Sequence, residues 1–184
     1  MALQSSGAIS LNQIHVEAGG TSGTQASLND SDIRGLISKA SGASMSFSEW
    51  YGASAGQTVT VTQGTSGSVR GYQGGYGTSA TYGSISPSNF TVNGATLGAI
   101  YYSEATIKGQ TTRFFFVYLA GHRAKSFFTS VAESSLGTLT TASATSHVQS
   151  SSGSPNHPWT YWTWSPSSTP ANWDGSGNLT VDFA

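Results

Sequence analysis

Residues 112–119 read Thr112-Arg113-Phe114-Phe115-Phe116-Val117-Tyr118-Leu119, and the fold turns on how this stretch is extended. In a strand, successive side chains point to opposite sides. Phe114, Phe116 and Tyr118 then share one face, and Phe115, Val117 and Leu119 share the other. Both faces are apolar, which fits a strand interior to a sheet or one buried between subunits. Phe114, Phe115, Phe116 and Tyr118 are therefore the candidate oligomer-interface residues, with a homotypic trimer as the expected assembly.

Working outward, turn signals bracket this strand. Lys108-Gly109 precedes it, and Asn93-Gly94 is a type I′ hairpin signal between Asn89-Phe90-Thr91-Val92 and a strand over 95–102. Further strands read over 126–131, 136–145, 159–164 and 178–183. Short strands at roughly ten-residue spacing, separated by Gly and Pro, predict an antiparallel β-sandwich over 82–184. The strand Trp159-Thr160-Tyr161-Trp162-Thr163-Trp164 should send Trp162 and Trp164 to one face and Trp159 and Tyr161 to the other. One pair belongs to the core. The other offers flat rings with a polar handle, the chemistry that stacks on sugars, so Trp159 and Tyr161 are candidate glycan contacts.

Upstream, Thr58-Val59-Thr60-Val61-Thr62 alternates as one strand, and Gly71, Gly74, Gly75 and Gly77 interleave with Tyr72, Tyr76 and Tyr82. Residues 55–81 thus read as a Gly/Tyr-rich connector with one strand.

Residues 1–54 follow a different rule. A pattern of apolar residue, cap, two residues, acid or amide, apolar residue occurs at Ile9–Ile14, Leu28–Ile33 and Met45–Trp50. Ser10, Asn29 and Ser46 suit N-cap positions, and Gln13, Asp32 and Glu49 can reach back to them. Ile9/Ile14, Leu28/Ile33 and Met45/Trp50 have the spacing of a hydrophobic staple. Gly19-Gly20, Gly42 and Gly52 supply stops. The expectation is three short helices with too little apolar surface for a core of their own. Such a segment either packs on the β domain of its own chain or docks on another protein, and docking is the expectation. Ile9, Leu11, Ile14, Leu28, Ile33, Phe47, Trp50 and Tyr51 are the candidate docking residues.

Composition narrows the function classes. The 184 residues include no Cys, 33 Ser, 22 Thr and 23 Gly, and only 8% are charged, against about 25% in an ordinary soluble domain. The net charge of −1 and the lack of a basic cluster give no nucleic-acid footprint. No apolar run is long enough to insert in a membrane, and the N-terminus lacks the charged and apolar regions of a Sec signal. Eight Phe, eight Tyr and five Trp supply the apolar payload of a folded β protein.

The catalytic search finds little. Glu104 and Glu133 would make a glycosidase pair only if folding placed their carboxyls roughly 5–10 Å apart. His15, His122, His147 and His157 show no metal-ligand spacing, and no GxSxG elbow occurs. No enzyme activity, cofactor or metal is expected.

The opening Met1-Ala2-Leu3-Gln4-Ser5-Ser6-Gly7-Ala8-Ile9-Ser10-Leu11-Asn12-Gln13-Ile14, followed by Ser46-Phe47-Ser48-Glu49-Trp50-Tyr51-Gly52, resembles the N-terminal segment of virion proteins of tailed bacteriophages. There an LQSSG-x-IS-x-x-x-I element precedes S-x-S-E-W/Y-Y-G and a variable β-rich part. The likeness covers about the first 54 residues, with a longer insert over 21–43 in this chain. The part from Tyr82-Gly83-Ser84-Ile85-Ser86-Pro87 to Phe183 looks more loosely like β domains of phage tail-associated proteins. The resemblance implies a structural protein of a tail fibre, baseplate or tail tip, assembled in the host cytoplasm into the virion. Its partners would be other virion proteins, copies of itself and a host-surface glycan. A capsid decoration or head-fibre protein, and a host-glycan-binding module, are the alternatives. A Cys-free chain suits a protein that leaves a reducing cytoplasm and persists outside the cell.

Overall fold

The computed structural model describes residues 3–4, 6–37, 39–53, 56–151 and 158–184. The chain divides into two compact units, residues 1–56 and 57–184, and is mainly β.

The first unit contains two α-helices among its described residues, α1 (Leu11–Glu17) and α2 (Ser31–Gly35). Ser10 caps α1: its hydroxyl accepts from the Gln13 N–H at 3.2 Å, and the Gln13 side chain accepts from the Ser10 N–H at 2.7 Å. The cap of α2 is Asp30 rather than Asn29, and its carboxylate turns outward to accept the Ser27 N–H at 2.8 Å. The third expected helix is a single 3₁₀ turn over Phe47–Trp50. Ser46 and Glu49 still interact there, the Ser46 N–H donating to the Glu49 carboxylate at 2.8 Å. The turn cannot propagate because Tyr51 is already extended and Gly52 has φ +72°.

Contrary to the expectation of too little apolar surface, the unit has a core of its own. Ile14, Ile33 and Trp50 are fully buried against one another, with Ile9, Leu28 and Met45 packed around them. These are the six staple positions, so each capped turn delivers one residue to a common centre. The Trp50 Nε1–H donates to the Ile33 carbonyl at 3.1 Å. Leu3 and Gly52 close the unit by pairing the chain start with residues 52–53, through Leu3 N–H to Ala53 O at 2.8 Å and Gly52 N–H to Gln4 O at 3.1 Å.

The second unit is built of thirteen strands among its described residues. They are β1 (Gln57–Thr62), β2 (Gly64–Ser66), β3 (Val69–Gly74), β4 (Thr81–Tyr82), β5 (Ser84–Ser86), β6 (Thr91–Val92) and β7 (Ala95–Ile107), then β8 (Gln110–Ala120), β9 (Ser130–Glu133), β10 (Gly137–Thr140), β11 (Ser146–Ser150), β12 (Trp159–Trp164) and β13 (Asn178–Phe183). They form two antiparallel sheets. The smaller has the order β10-β9-β13-β1-β5 and the larger β11-β12-β8-β7-β3-β2, with β4 on β3 and β6 on β7. Residues 57–81 of the segment expected as a connector therefore belong to the β unit. β1 lies between β13 and β5, and β3 lies between β2 and β7.

The turn signals hold. Asn93 and Gly94 have φ 49° and 80°, and Lys108 and Gly109 have φ 51° and 78°, the left-handed pair that a two-residue hairpin requires. β8 lies between β12 and β7, interior to the larger sheet. Its Phe115, Val117 and Leu119 enter one buried cluster with Val59, Val131 and Val181 of the smaller sheet. Trp162 and Trp164 join that cluster, as alternation demands, and their indole N–H groups donate to Lys125 O at 2.9 Å and Thr140 O at 2.8 Å.

Candidate functional site

The other side of the larger sheet carries a second aromatic layer. Registers across the strands set it out in two rows. One is Val148, Tyr161, Tyr118, Ala99 and Gln73; the next is Ser146, Thr163, Phe116, Tyr101 and Gly71. Phe114 and Trp159 extend it at either end. The rings touch in series. Tyr118 stacks on Tyr161 with centroids 5.0 Å apart, Tyr101 lies 4.8 Å from Phe116, Trp159 lies 5.5 Å from Tyr118, and Phe114 lies 6.0 Å from Phe116. A cluster of this kind gains from edge and offset contacts as well as burial.

A Gly-rich loop roofs one end. The Gln73 side chain, itself buried, accepts the N–H groups of Gly75 at 3.1 Å and Tyr76 at 2.9 Å and so pins the loop down. Tyr76 lies flat on Gly98, where an added Cβ would stand 2.2 Å from its ring. Gly77, at φ +75°, leaves room for the edge of Tyr118. Under this roof Tyr118 and Trp159 are nearly closed off. Phe116 and Tyr161 are half-buried, and Phe114 is 37% exposed.

The layer is uncharged. None of the ten positions in the two rows is Asp, Glu, Lys or Arg. Burial, and then the neighbouring Tyr118 phenol, pushes the Tyr82 hydroxyl up to about 12. Burial likewise raises Tyr101 and Tyr118, whose hydroxyls meet at 3.4 Å. These phenols stay protonated and act as neutral donors.

Phe115 must leave the expected interface set. It is fully buried on the opposite face, edge-on to Trp173 at 5.0 Å, and cannot share a surface with Phe114, Phe116 and Tyr118. Trp159 and Tyr161 do lie together on the outer layer, 5.8 Å apart. Sequence alternation found them and missed Tyr76, Tyr82 and Tyr101, which lay in stretches read as connector or ordinary strand.

In the first unit, the docking set also divides. Ile14, Ile33 and Trp50 are internal, so a partner cannot reach them. Ile9, Leu11 and Leu28 are half-buried around them, while Phe47 and Tyr51 are 43% and 37% exposed. Val16, not among the expected residues, is 46% exposed. It lies in the last turn of α1 two positions after the buried Ile14, which helical periodicity puts on the opposite side of the helix.

Glu104, Glu133 and the described histidines are held by structural partners. Glu104 accepts from Tyr102 at 2.6 Å, Arg113 at 3.0 Å and Thr169 at 2.5 Å. Glu133 is buried; burial alone would raise its carboxyl, but hydrogen bonds from Ser134, Asn172 and Ser135 outweigh that and hold it at about 2. The Trp173 Nε1–H donates to the same carboxylate at 3.2 Å. His15 contacts Thr24, His122 contacts Ser151 and His147 contacts the Arg123 carbonyl, each at 2.9 Å. His157 and most of the 150–158 loop lie outside the described residues. No group of three or more His, Cys, Asp or Glu is placed to hold a metal ion among the described residues. No helix there is long and apolar enough to cross a membrane.

A groove of about 830 Å³ runs along β9, β10 and β13 on the smaller sheet. Its carboxylates are already engaged, Asp182 by the Thr58 hydroxyl at 2.7 Å and Asp174 by Ser176 at 2.8 Å. Set against protein-family models, curated proteins and solved structures, the chain matches none of them.

Proposed function

We propose that the chain is a structural protein of a tailed-bacteriophage virion, a component of a tail fibre, baseplate or tail tip. In this reading the first unit attaches to the particle and the second is a β-sandwich held outward. The observation that carries it is the first unit's surface. It has a small closed core, yet Val16, Phe47 and Tyr51 are three of the five exposed large apolar side chains among the described residues. Exposed apolar side chains concentrated on so small a unit suit contact with another surface. The N-terminal resemblance supplies the kind of surface, a neighbouring virion protein. No step of this role is catalytic.

Immunogold labelling of particles that carry the chain tests the reading. Label is expected at the tail. Absence from purified particles overturns the virion assignment, and label confined to the capsid overturns the tail assignment. A Phe47→Ser variant should fold normally and be depleted from particles.

A further inference from the structure

We propose that the outer aromatic layer of the larger sheet is a binding site for an uncharged saccharide, seated on Phe114, Phe116 and Tyr161 beside the Tyr76–Gly77 roof. The inference stands on the sheet face alone and goes beyond the virion role.

Charge is the first argument. Among the described residues the two rows hold no ionic side chain, and the Arg113–Glu104 pair, at 3.0 Å, belongs to the opposite face by strand alternation. A nucleic acid, an acidic peptide or a sialylated chain would find nothing to pair with. A ligand for this face has to be neutral and tolerate flat rings, which is the character of a sugar's C–H face. Its hydroxyls would meet donors that stay protonated, and Ser103 and Ser146 at the margin.

Size is the second. From β7 to β12 is two strand spacings, about 10 Å, and Phe114 to Phe116 runs about 7 Å along β8, a footprint on the order of 70 Å². A stable homotypic contact needs about 800 Å² on each partner. The open strip is a ligand's footprint, well short of a subunit's.

The third is the roof. A loop with Gly75 and Gly77, pinned through Gln73, converts one end of a flat sheet face into a step. A step beside half-exposed rings gives a ligand a wall to lie against as well as a floor, and small-molecule sites are walled in this way.

The test uses the purified full chain with neutral glucan, mannan and galactan oligosaccharides, and with sialylated and uronate-containing oligosaccharides as acidic controls. Binding is read by calorimetry and by tyrosine and tryptophan fluorescence. A neutral saccharide should bind and the acidic ones should not. Phe114→Ala removes the most exposed ring without touching the core, and Phe116→Leu keeps an apolar side chain but removes the stacking surface. Each should weaken binding about tenfold with an unchanged melting temperature. Binding of no neutral saccharide overturns the proposal, as does binding that survives both substitutions. It is equally overturned if light scattering shows an oligomer that Phe114→Ala dissociates, because a second copy would then occupy the face. None of these readouts involves a particle, so the outcome is independent of where the protein sits in a virion.

Discussion

Phe115 and Phe116 are neighbours in sequence and belong to different layers of the molecule. Phe115 is fully buried between the sheets, with its ring edge-on to Trp173 at 5.0 Å, while Phe116 lies on the far side of the same strand, 4.8 Å from Tyr101. Substitutions along β8 should therefore alternate in consequence.

Phe115→Ala should cost about 3–5 kcal/mol, the usual range for emptying a core aromatic site. Phe114→Ala should cost well under about 1 kcal/mol, as surface changes do. Urea unfolding of the two variants measures both. Equal costs would mean that the outer layer is as deeply packed as the core.

The strand β12 should behave likewise. Trp162 is fully buried and donates to Lys125 O, whereas Trp159 is at the margin of the outer layer, 9% exposed. Both alanine variants should be destabilised, Trp162→Ala more than Trp159→Ala, as read by the shift in melting temperature.

Glu133 gives a pH signature. Its folded carboxyl is held at about 2, below its ordinary value of 4.5, so the charged form is favoured by folding. That stabilisation is present above the ordinary value and is lost as pH falls from about 4.5 towards about 2. Glu133→Gln should flatten the stability profile in that window, measured by thermal melts at pH 7, 4.5 and 3. It should also lower stability at pH 7, since an amide cannot accept all the donors around it.

The roof can be lifted. Gly98→Val places carbons where the Tyr76 ring lies, so the loop should detach while the strands remain. Limited proteolysis should then cut near residues 75–80, where the parent chain resists, and tyrosine fluorescence should report the newly wetted Tyr118.

Trp50→Ala removes the largest member of a three-residue centre. A unit of this size holds roughly 3–5 kcal/mol of stability at best. The substitution should unfold residues 1–56 and leave the main melting transition of the β unit in place. Amide NMR separates the two events.

Much of this was legible beforehand. Alternation separated Trp162 and Trp164 from Trp159 and Tyr161, and Phe115 from Phe116, because a strand allows only two directions; which of these share a face was set by the β8–β12 register. Asn93-Gly94 and Lys108-Gly109 announced their hairpins, because few residue pairs tolerate two positive φ angles. Thr58–Thr62 was legible as a strand and is β1, but the Gly/Tyr stretch 64–82 that follows it was not. Its glycines resemble a linker's, but Gly64 is there because a Cβ would meet the Gly83 N at 2.3 Å, and only tertiary packing creates that need. The Asn29–Asp30 choice turned on a contact with Ser27 that competes with the helix cap. The core of the first unit was missed for a related reason: each short turn is marginal alone, and only their convergence makes a centre.

The two-faced strand carries a hazard. In most sheets a one-residue slide is forbidden because it drives polar side chains inward. In β8 the slide would trade Phe115, Val117 and Leu119 for Phe114, Phe116 and Tyr118, one oily set for another. Composition therefore does little to police alignment, and the task falls on the ends of the β7–β8 hairpin. Ile107 and Gln110 face each other across a turn of only two residues, and a bulge between Leu97 and Ala99 fixes the other end. Lengthening that turn by a single residue is the edit by which this protein would exchange its interior for its exterior.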